Sequence, residues 1–174
     1  LQGDLDIGDH VLTSITAYRK YDNEEIRDGD WLDRPFVGGG LAQLHDVGPQ
    51  TGDTFTQEFR LQSPGNQLID YVIGTFYSRA DTERTFRRDV IQCTLGTAAP
   101  STTALVPCTT PGTVTTTPTG TATFGSTFEN IAVFGQATLN ISDALRLIGG
   151  LRYTYDQLDV FHQRVTALAG PGIQ

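Results

Sequence analysis

Two runs near the C-terminal end decide the fold, NIAVFGQATLNI at residues 130–141 and LRLIGGLRYTYD at residues 145–156. In both, apolar residues recur at every second position, which gathers them on one face of a strand but scatters them around a helix. The link Ser142-Asp143-Ala144 is too short for anything but an antiparallel hairpin. Strands of soluble sheets usually have about 5–6 residues, whereas strands that cross a bilayer need roughly 9–11. Runs of twelve residues therefore predict membrane-spanning strands.

The composition limits the functions that are open to the chain. Its 174 residues, 38% of them hydrophobic, are enough for one domain and show no sign of disorder. A net charge of −8 argues against nucleic-acid binding, because phosphates would be repelled. No apolar run reaches the roughly 18 residues of a transmembrane helix. The N-terminus has neither a starting Met nor a signal peptide, so we expect an excised piece of a longer protein.

Shorter alternating segments precede the hairpin. They read as strands at residues 1–7, 10–21, 53–62 and 68–79. Tight turns are predicted near Gly8, Gly65 and Asp143, and a type II turn after Pro64 would give Gly65 a positive φ. Both faces of the segment at 68–79 are apolar, so the sequence does not orient it.

Three long segments lack alternation and are predicted to be loops, at residues 22–53, 81–127 and 157–174. All short links would then fall at one end of the strands and all long ones at the other. Outer-membrane barrels have this asymmetry, whereas β-sandwiches more often mix loop lengths. The predicted fold is all-β, an antiparallel up-and-down meander of about five full strands and part of a sixth. It would form an incomplete section of a transmembrane β-barrel.

Several motifs resemble barrel segments of TonB-dependent outer-membrane receptors. They are TSITAYR at 13–19, TQEFRLQSP at 56–64, YVIGTFY at 71–77, and IAVFGQAT at 131–138 followed by GGLRYT at 149–154. The resemblance covers residues 1–163 and implies a section of a plugged transporter in the outer membrane of a Gram-negative bacterium. It also implies import of scarce ligands such as iron-siderophore complexes. The TonB protein would supply the energy through a plug region that this chain lacks.

Two other readings stay open. One is a passive porin or structural barrel without energised uptake. The other is a secreted β-sandwich adhesin whose Thr-rich segment binds a partner, which predicts a soluble product.

Charged residues on alternate positions indicate which face would turn inward. A charge facing lipid at the bilayer midplane costs about 2–4 kcal/mol, so these side chains are predicted to face the barrel lumen. The charged candidates are Glu58, Arg60, Arg146, Arg152 and Asp156, and the uncharged Gln136 is predicted to share their face. The resemblance implies that they contact the plug or line the path of the ligand; alternatively, they only pair with neighbouring strands. Tyr71, Tyr153 and Tyr155 are predicted to form an aromatic girdle at the membrane interface, with core packing as the alternative.

The segment at 22–53 carries eight acidic residues against two arginines. Asp28-Gly29-Asp30 raises the hypothesis of a calcium site, but the spacing does not fit a twelve-residue calcium loop, so a solvated acidic surface is favoured. Trp31 could stack on a ligand or anchor the loop on the barrel rim. The candidate ligand-loop residues are Asp28, Asp30, Trp31 and Arg34.

The two cysteines, Cys93 and Cys108, have fourteen residues between them. In an oxidising compartment a disulfide could close this loop and stabilise the fold by roughly 3 kcal/mol in the chain-entropy model; two free thiols are the alternative. No catalytic motif, cofactor site or metal-ligand spacing is found, and the three histidines lie on different segments. The chain is therefore not expected to be an enzyme.

Overall fold

The computed structural model describes residues 1–31, 42–96, 105–117, 119–142 and 144–166. Every regular element among them is a β-strand, which confirms the all-β class. The strands are β1 (Gln2–Ile7), β2 (His10–Asp28), β3 (Ala42–Gln62), β4 (Ile69–Leu95), β5 (Thr113–Thr116), β6 (Thr119–Ser142) and β7 (Leu145–Thr166). Within the described ranges no helix is long and apolar enough to span a membrane.

The strands form one sheet in which each main strand pairs with the next along the chain. The order is β1-β2-β3-β4-β6-β7, and the short β5 pairs with β4 outside this path. β1 and β2 are antiparallel from the Gln2–Ile15 pair to the Ile7–His10 pair, and Gly8 in the turn has a φ of 62°. Such a φ favours glycine because a Cβ is penalised there. The predicted antiparallel meander and open, incomplete barrel section are therefore confirmed.

The apolar residues of this sheet have almost no protein core to pack into. All seven strands belong to the same sheet, so the described residues contain no second sheet stacked on it as in a β-sandwich. Cys93 and Ala132 are the only buried apolar residues of the described part. Ile131, Val133 and Leu151 are 54%, 51% and 83% exposed. The alternating apolar positions therefore form a bare surface.

The predicted loop boundaries are wrong, because the strands continue far into all three segments. β2 runs to Asp28 and β3 begins at Ala42, inside the predicted loop at 22–53. β4 and β6 shorten the predicted loop at 81–127 from both ends, and β7 extends through most of 157–174. These extensions lack an apolar face, so alternation could not reveal them. Polar contacts join them instead, such as Thr85 Oγ1 to Thr123 Oγ1 at 3.1 Å, and Thr has a high strand propensity.

The turn between β3 and β4 also differs from the prediction. The residue with positive φ is Asn66, at 64°, and not Gly65. Asn tolerates this conformation because its short amide can bond locally to the backbone. Backbone bonds close the turn, with Ser63 N donating to Tyr71 O at 2.9 Å. Asp143, the centre of the third predicted turn, lies outside the described residues.

The chain divides into two compact units. Unit 1 comprises Leu1–Tyr21, Gly52–Thr82 and Ser126–Asp159. Unit 2 comprises Asp22–Thr51, Glu83–Gly125 and Val160–Gln174. The three short links, at residues 8–9, 63–68 and 143–144, all belong to unit 1.

Candidate functional site

Side-chain contacts define an apolar face of unit 1. His10 Nε2 lies 2.9 Å from Tyr71 Oη, and the Tyr77 hydroxyl donates to Glu129 at 3.2 Å. Ile131 and Val133 follow Glu129 at alternate positions of β6 and so lie on the same face. Because Tyr77 of β4 contacts Glu129, the odd-numbered residues of β4 lie on this face too. It is the face that carries most of the exposed aliphatic side chains.

The opposite, polar face of unit 1 is marked by Arg152. Its guanidinium carbon lies 5.6 Å from the centre of the Phe76 ring and 5.8 Å from that of Phe134. A Cβ built on Gly74 would meet the Phe134 ring at 2.5 Å, so Gly74 faces the same side. Even-numbered residues of β4 thus belong to the polar face. These contacts orient the segment that the sequence left unassigned.

The polar face of unit 1 contains an open concavity of about 680 Å³, here called the polar concavity. Its polar lining comes from β1, β2, β3, β6 and β7. The side chains are Gln2, Thr13, Arg60, Gln62, Gln136 and Arg152. Amide and guanidinium donors predominate in this set, so the concavity favours acceptor groups.

The structure brings together some of the predicted lumen residues and separates others. Arg60, Gln136 and Arg152 line the polar concavity. Arg60 forms an ion pair with Glu58, two positions before it on β3. Pairing between charges on the same face offsets part of the cost of taking them out of water. Their position on the polar face agrees with the predicted alternation, while their role in a lumen stays a prediction.

The remaining two predicted lumen residues lie apart from the concavity. Asp156 accepts a hydrogen bond from the Asn130 amide of the neighbouring strand. Arg146 lines a smaller hollow of about 310 Å³, together with Asp70 and Asn140. Asn140 Nδ2 donates to Asp70 at 2.8 Å, which ties β6 to the start of β4.

Gln57 interrupts the apolar alternation of Phe55, Phe59 and Leu61 on β3, and the structure accounts for this polar residue. Its amide Nε2 donates to Ser14 Oγ at 3.0 Å, and its Oε1 accepts from Thr16 Oγ1 at 2.6 Å. Thr16 and Ser14 are alternate positions of the neighbouring β2. The three side chains satisfy one another, so Gln57 can lie on the apolar face without an unpaired amide. The break that Gln57 makes in the apolar alternation is the one sequence feature that indicates this cluster.

The tyrosines of the terminal hairpin are exposed on the apolar face. Tyr153 and Tyr155 are 68% and 57% exposed, and no described core covers them. Tyr71, which contacts His10, lies near a short turn. A girdle at a membrane interface remains the prediction for these residues.

Unit 2 contains a network of ion pairs on β2, β3 and β4 that no pattern in the sequence indicates. Asp46, only 2% exposed, accepts from Arg88 Nε and Nη2, each at 2.7 Å. Arg27 Nε lies 3.5 Å from the same carboxylate. The hydrogen bonds from Arg88 hold the pKa of Asp46 below its ordinary value, against burial, and the charges of Arg88 and Arg27 act in the same direction. The Asp46 hydrogen bond in turn raises the pKa of Arg88.

A second branch of this network depends on Gly48. Arg84 Nη2 donates to Glu25 at 2.6 Å, from β4 to β2. Gly48 on the intervening β3 leaves room for this side chain, since a Cβ there would lie 3.0 Å from Arg84 Nη2. Glu25 also pairs with Arg27 at 3.4 Å. The acidic residues interpreted as a solvated surface are therefore partly counterions of arginines on β2 and β4.

The candidate ligand-loop residues do not form a metal site in the part that the structure describes. Asp28 accepts from Asp30 N at 3.1 Å, and Asp30 accepts from Leu44 N at 3.2 Å, so both carboxylates support the local backbone. No group of three or more potential metal-ligating side chains occurs among the described residues. Trp31 is 79% exposed and has a φ of 60°. Arg34 lies outside the described residues.

Cys93 and Cys108 form a disulfide with a Cα–Cα distance of 5.2 Å. Around it, Val106 N donates to Cys93 O at 2.9 Å, and β5 pairs with residues 92–95 of β4. Cys93 and Thr94 are fully buried. The disulfide thus joins the end of β4 to the segment that precedes β5.

One comparison with known proteins identifies this architecture. The family model described as "TonB dependent receptor-like, beta-barrel" matches residues 1–170. No curated protein matches the chain.

Proposed function

Because this chain belongs to the TonB-dependent receptor-like β-barrel family, we propose that it is a section of a transporter that imports scarce ligands, most specifically iron-siderophore complexes, across the outer membrane of a Gram-negative bacterium. The family is one of outer-membrane receptors and transporters and not of enzymes. TonB would act on the transporter through a plug region of the complete receptor. The bilayer, TonB and the ligand are then its partners.

The observation that carries this proposal is the bare apolar face of a single sheet. Exposed aliphatic side chains on adjacent strands would be an aggregation liability in water. In hydrocarbon the same surface is favourable, because alternate residues of a barrel strand face lipid. The alternating run of β7 from Leu145 to Tyr155 has the length that a tilted strand needs to cross a bilayer, roughly 9–11 residues.

The polar face supports the same orientation. Its charged residues would cost about 2–4 kcal/mol each at the lipid-facing midplane but can be hydrated in a barrel interior. Arg60 is paired with Glu58, and Arg152 lies over two aromatic rings. In the complete receptor, the plug or the transported ligand would contact the polar concavity.

Cysteine labelling of the full-length receptor in outer membranes tests the orientation. The two cysteines of this chain are bonded to each other, so they do not compete for a maleimide reagent. We expect Val133→Cys to react poorly with a charged maleimide and to be quenched by brominated lipid when it carries a fluorophore. Gln136→Cys, on the polar face, should give the opposite pattern. Equal labelling of both positions by the charged reagent would contradict the membrane orientation.

Energised uptake is tested separately in isogenic strains with and without TonB. We expect an iron-labelled siderophore that supports growth through this receptor to accumulate only when TonB and the proton gradient are present. Accumulation that persists after removal of TonB and addition of an uncoupler would instead indicate a passive, porin-like barrel.

A further inference from the structure

Arg152 on β7 is held in a defined position on the polar face. Its guanidinium lies over the rings of Phe76 and Phe134, with distances of 5.6 and 5.8 Å to the ring centres. Its Nε donates to Thr154 Oγ1 at 3.1 Å. Cation–π contact with two rings and one hydrogen bond restrict a side chain that would otherwise sample many rotamers.

Gly74 makes this arrangement possible. A Cβ at this position would lie 2.5 Å from Phe134 Cζ and 2.6 Å from the Phe59 carbonyl oxygen. Real Cβ atoms do not approach other atoms so closely, so only glycine lets the Phe134 ring rest against β4. The ring then remains available to the guanidinium.

The terminal nitrogens of Arg152 are not used by the rest of the described chain. No carboxylate of the described residues forms an ion pair with Arg152, although Arg60 in the same concavity is paired with Glu58. The residue is exposed, and its Nη atoms have no hydrogen-bond partner within the described ranges. A positioned guanidinium with free terminal donors matches the geometry of a carboxylate, which it can bind through two parallel hydrogen bonds.

We propose that Arg152 is the carboxylate-binding residue of the polar concavity. The carboxylate belongs either to a solute that enters the concavity or to an acidic side chain elsewhere in the same receptor. Gln62 and Gln136 line the same space and supply neutral donors around the ion pair. The inference rests on the proposed function in one respect, namely that the polar face encloses an interior.

Carbodiimide coupling on the purified full-length receptor tests the proposal. Arg152→Lys keeps the cation and places a reactive amine where the carboxylate would bind. With succinate as the probe, a succinate adduct at position 152 identifies a solute as the source. An amide cross-link from position 152 to an acidic residue outside this chain identifies the receptor itself as the source.

Arg19→Lys is the matched control. Arg19 also lies over a ring, 5.8 Å from the centre of Tyr21, but it does not line the polar concavity. We expect about tenfold more coupling at position 152 than at position 19, as a charge-assisted hydrogen-bonded pair implies. Equal coupling at both positions overturns the proposal. So does a cross-link from position 152 to Glu58 or Asp156, since the carboxylate would then come from this sheet.

A second measurement keeps Arg152 intact in case the lysine variant does not fold. In the wild-type receptor with succinate present, phenylglyoxal should modify Arg152 about tenfold more slowly than Arg19. Equal rates overturn the proposal. Neither assay requires uptake, so an absence of transport would refute the proposed function without affecting this result.

Discussion

Replacing Asp46 by asparagine isolates the contribution of the ion-pair network in unit 2. The substitution preserves the shape of the side chain and removes its charge. In the native protein this buried carboxylate accepts two hydrogen bonds of 2.7 Å from Arg88 and lies 3.5 Å from Arg27. The asparagine would leave both arginines without their carboxylate partner on β3.

The magnitude follows from burial. A hydrogen bond to a charged group contributes about 1.5–3 kcal/mol, and breaking a fully buried ion pair costs about 3–5 kcal/mol. Here the side chains of Arg88 and Arg27 are 39% and 40% exposed, so water replaces part of what they lose. We therefore expect a loss of about 2 kcal/mol, which corresponds to roughly a thirtyfold increase in local opening.

Hydrogen exchange of the full-length receptor in detergent measures this opening directly. The amides around Asp46 and Arg88 should exchange roughly thirtyfold faster in Asp46→Asn, while the β6 and β7 amides of unit 1 should be unchanged. Asp53→Asn is the control, since Asp53 lies on the same strand and makes no hydrogen bond or ion pair with another described residue. An equal effect of both variants, or exchange in Asp46→Asn within about twofold of the wild type, would refute the reasoning.

Three further outcomes are expected. Because its pKa is lowered, Asp46 should stabilise unit 2 above the ordinary aspartate pKa of 3.8 and lose this effect as the pH falls through its folded pKa. After correction for the intrinsic exchange rate at each pH, the protection of amides near Asp46 should therefore fall in acid in the wild type but not in Asp46→Asn. Gly74→Ala should destabilise the receptor by about 1–3 kcal/mol in urea unfolding, because the new Cβ overlaps the Phe134 ring, whereas Gly149→Ala, which meets nothing within 4 Å, should have little effect. Reduction of the Cys93 disulfide should expose the amides of β5 to exchange, and unchanged protection there would show that strand pairing alone holds β5.

The sequence was sufficient to predict which way side chains face in strands that have one apolar face. The alternation of β7 and of the second half of β6 predicts their facing, because lipid or a core would demand it at every second residue. The facing of β4 could not be predicted in this way, since Val72 and Phe76 on its polar face are as apolar as the residues on its other side. Only the contacts of Phe76 with Arg152 reveal why that face is apolar there.

The sequence failed where polar residues pair with polar residues. Asp46 and Arg88 are separated by 42 positions, and neither stands in a recognisable motif. Their pairing depends on the register between β3 and β4, which no single strand encodes. The β3–β4 turn is a separate case: glycine is the residue that best tolerates a left-handed conformation, yet Asn66 and not Gly65 adopts it.

The bare apolar face has a consequence for how this protein tolerates change. Ile131 and Leu151 meet no complementary protein surface, so their neighbours in the proposed setting are fluid acyl chains that adapt to any contour. Substitutions among Leu, Ile, Val and Phe at these positions should hardly change the stability of the protein. Replacing the tightly enclosed Ala132 by one of these larger residues should lower it. On the apolar face, side chains need only be hydrophobic. Side-chain volume limits substitution only at the few positions where side chains are enclosed.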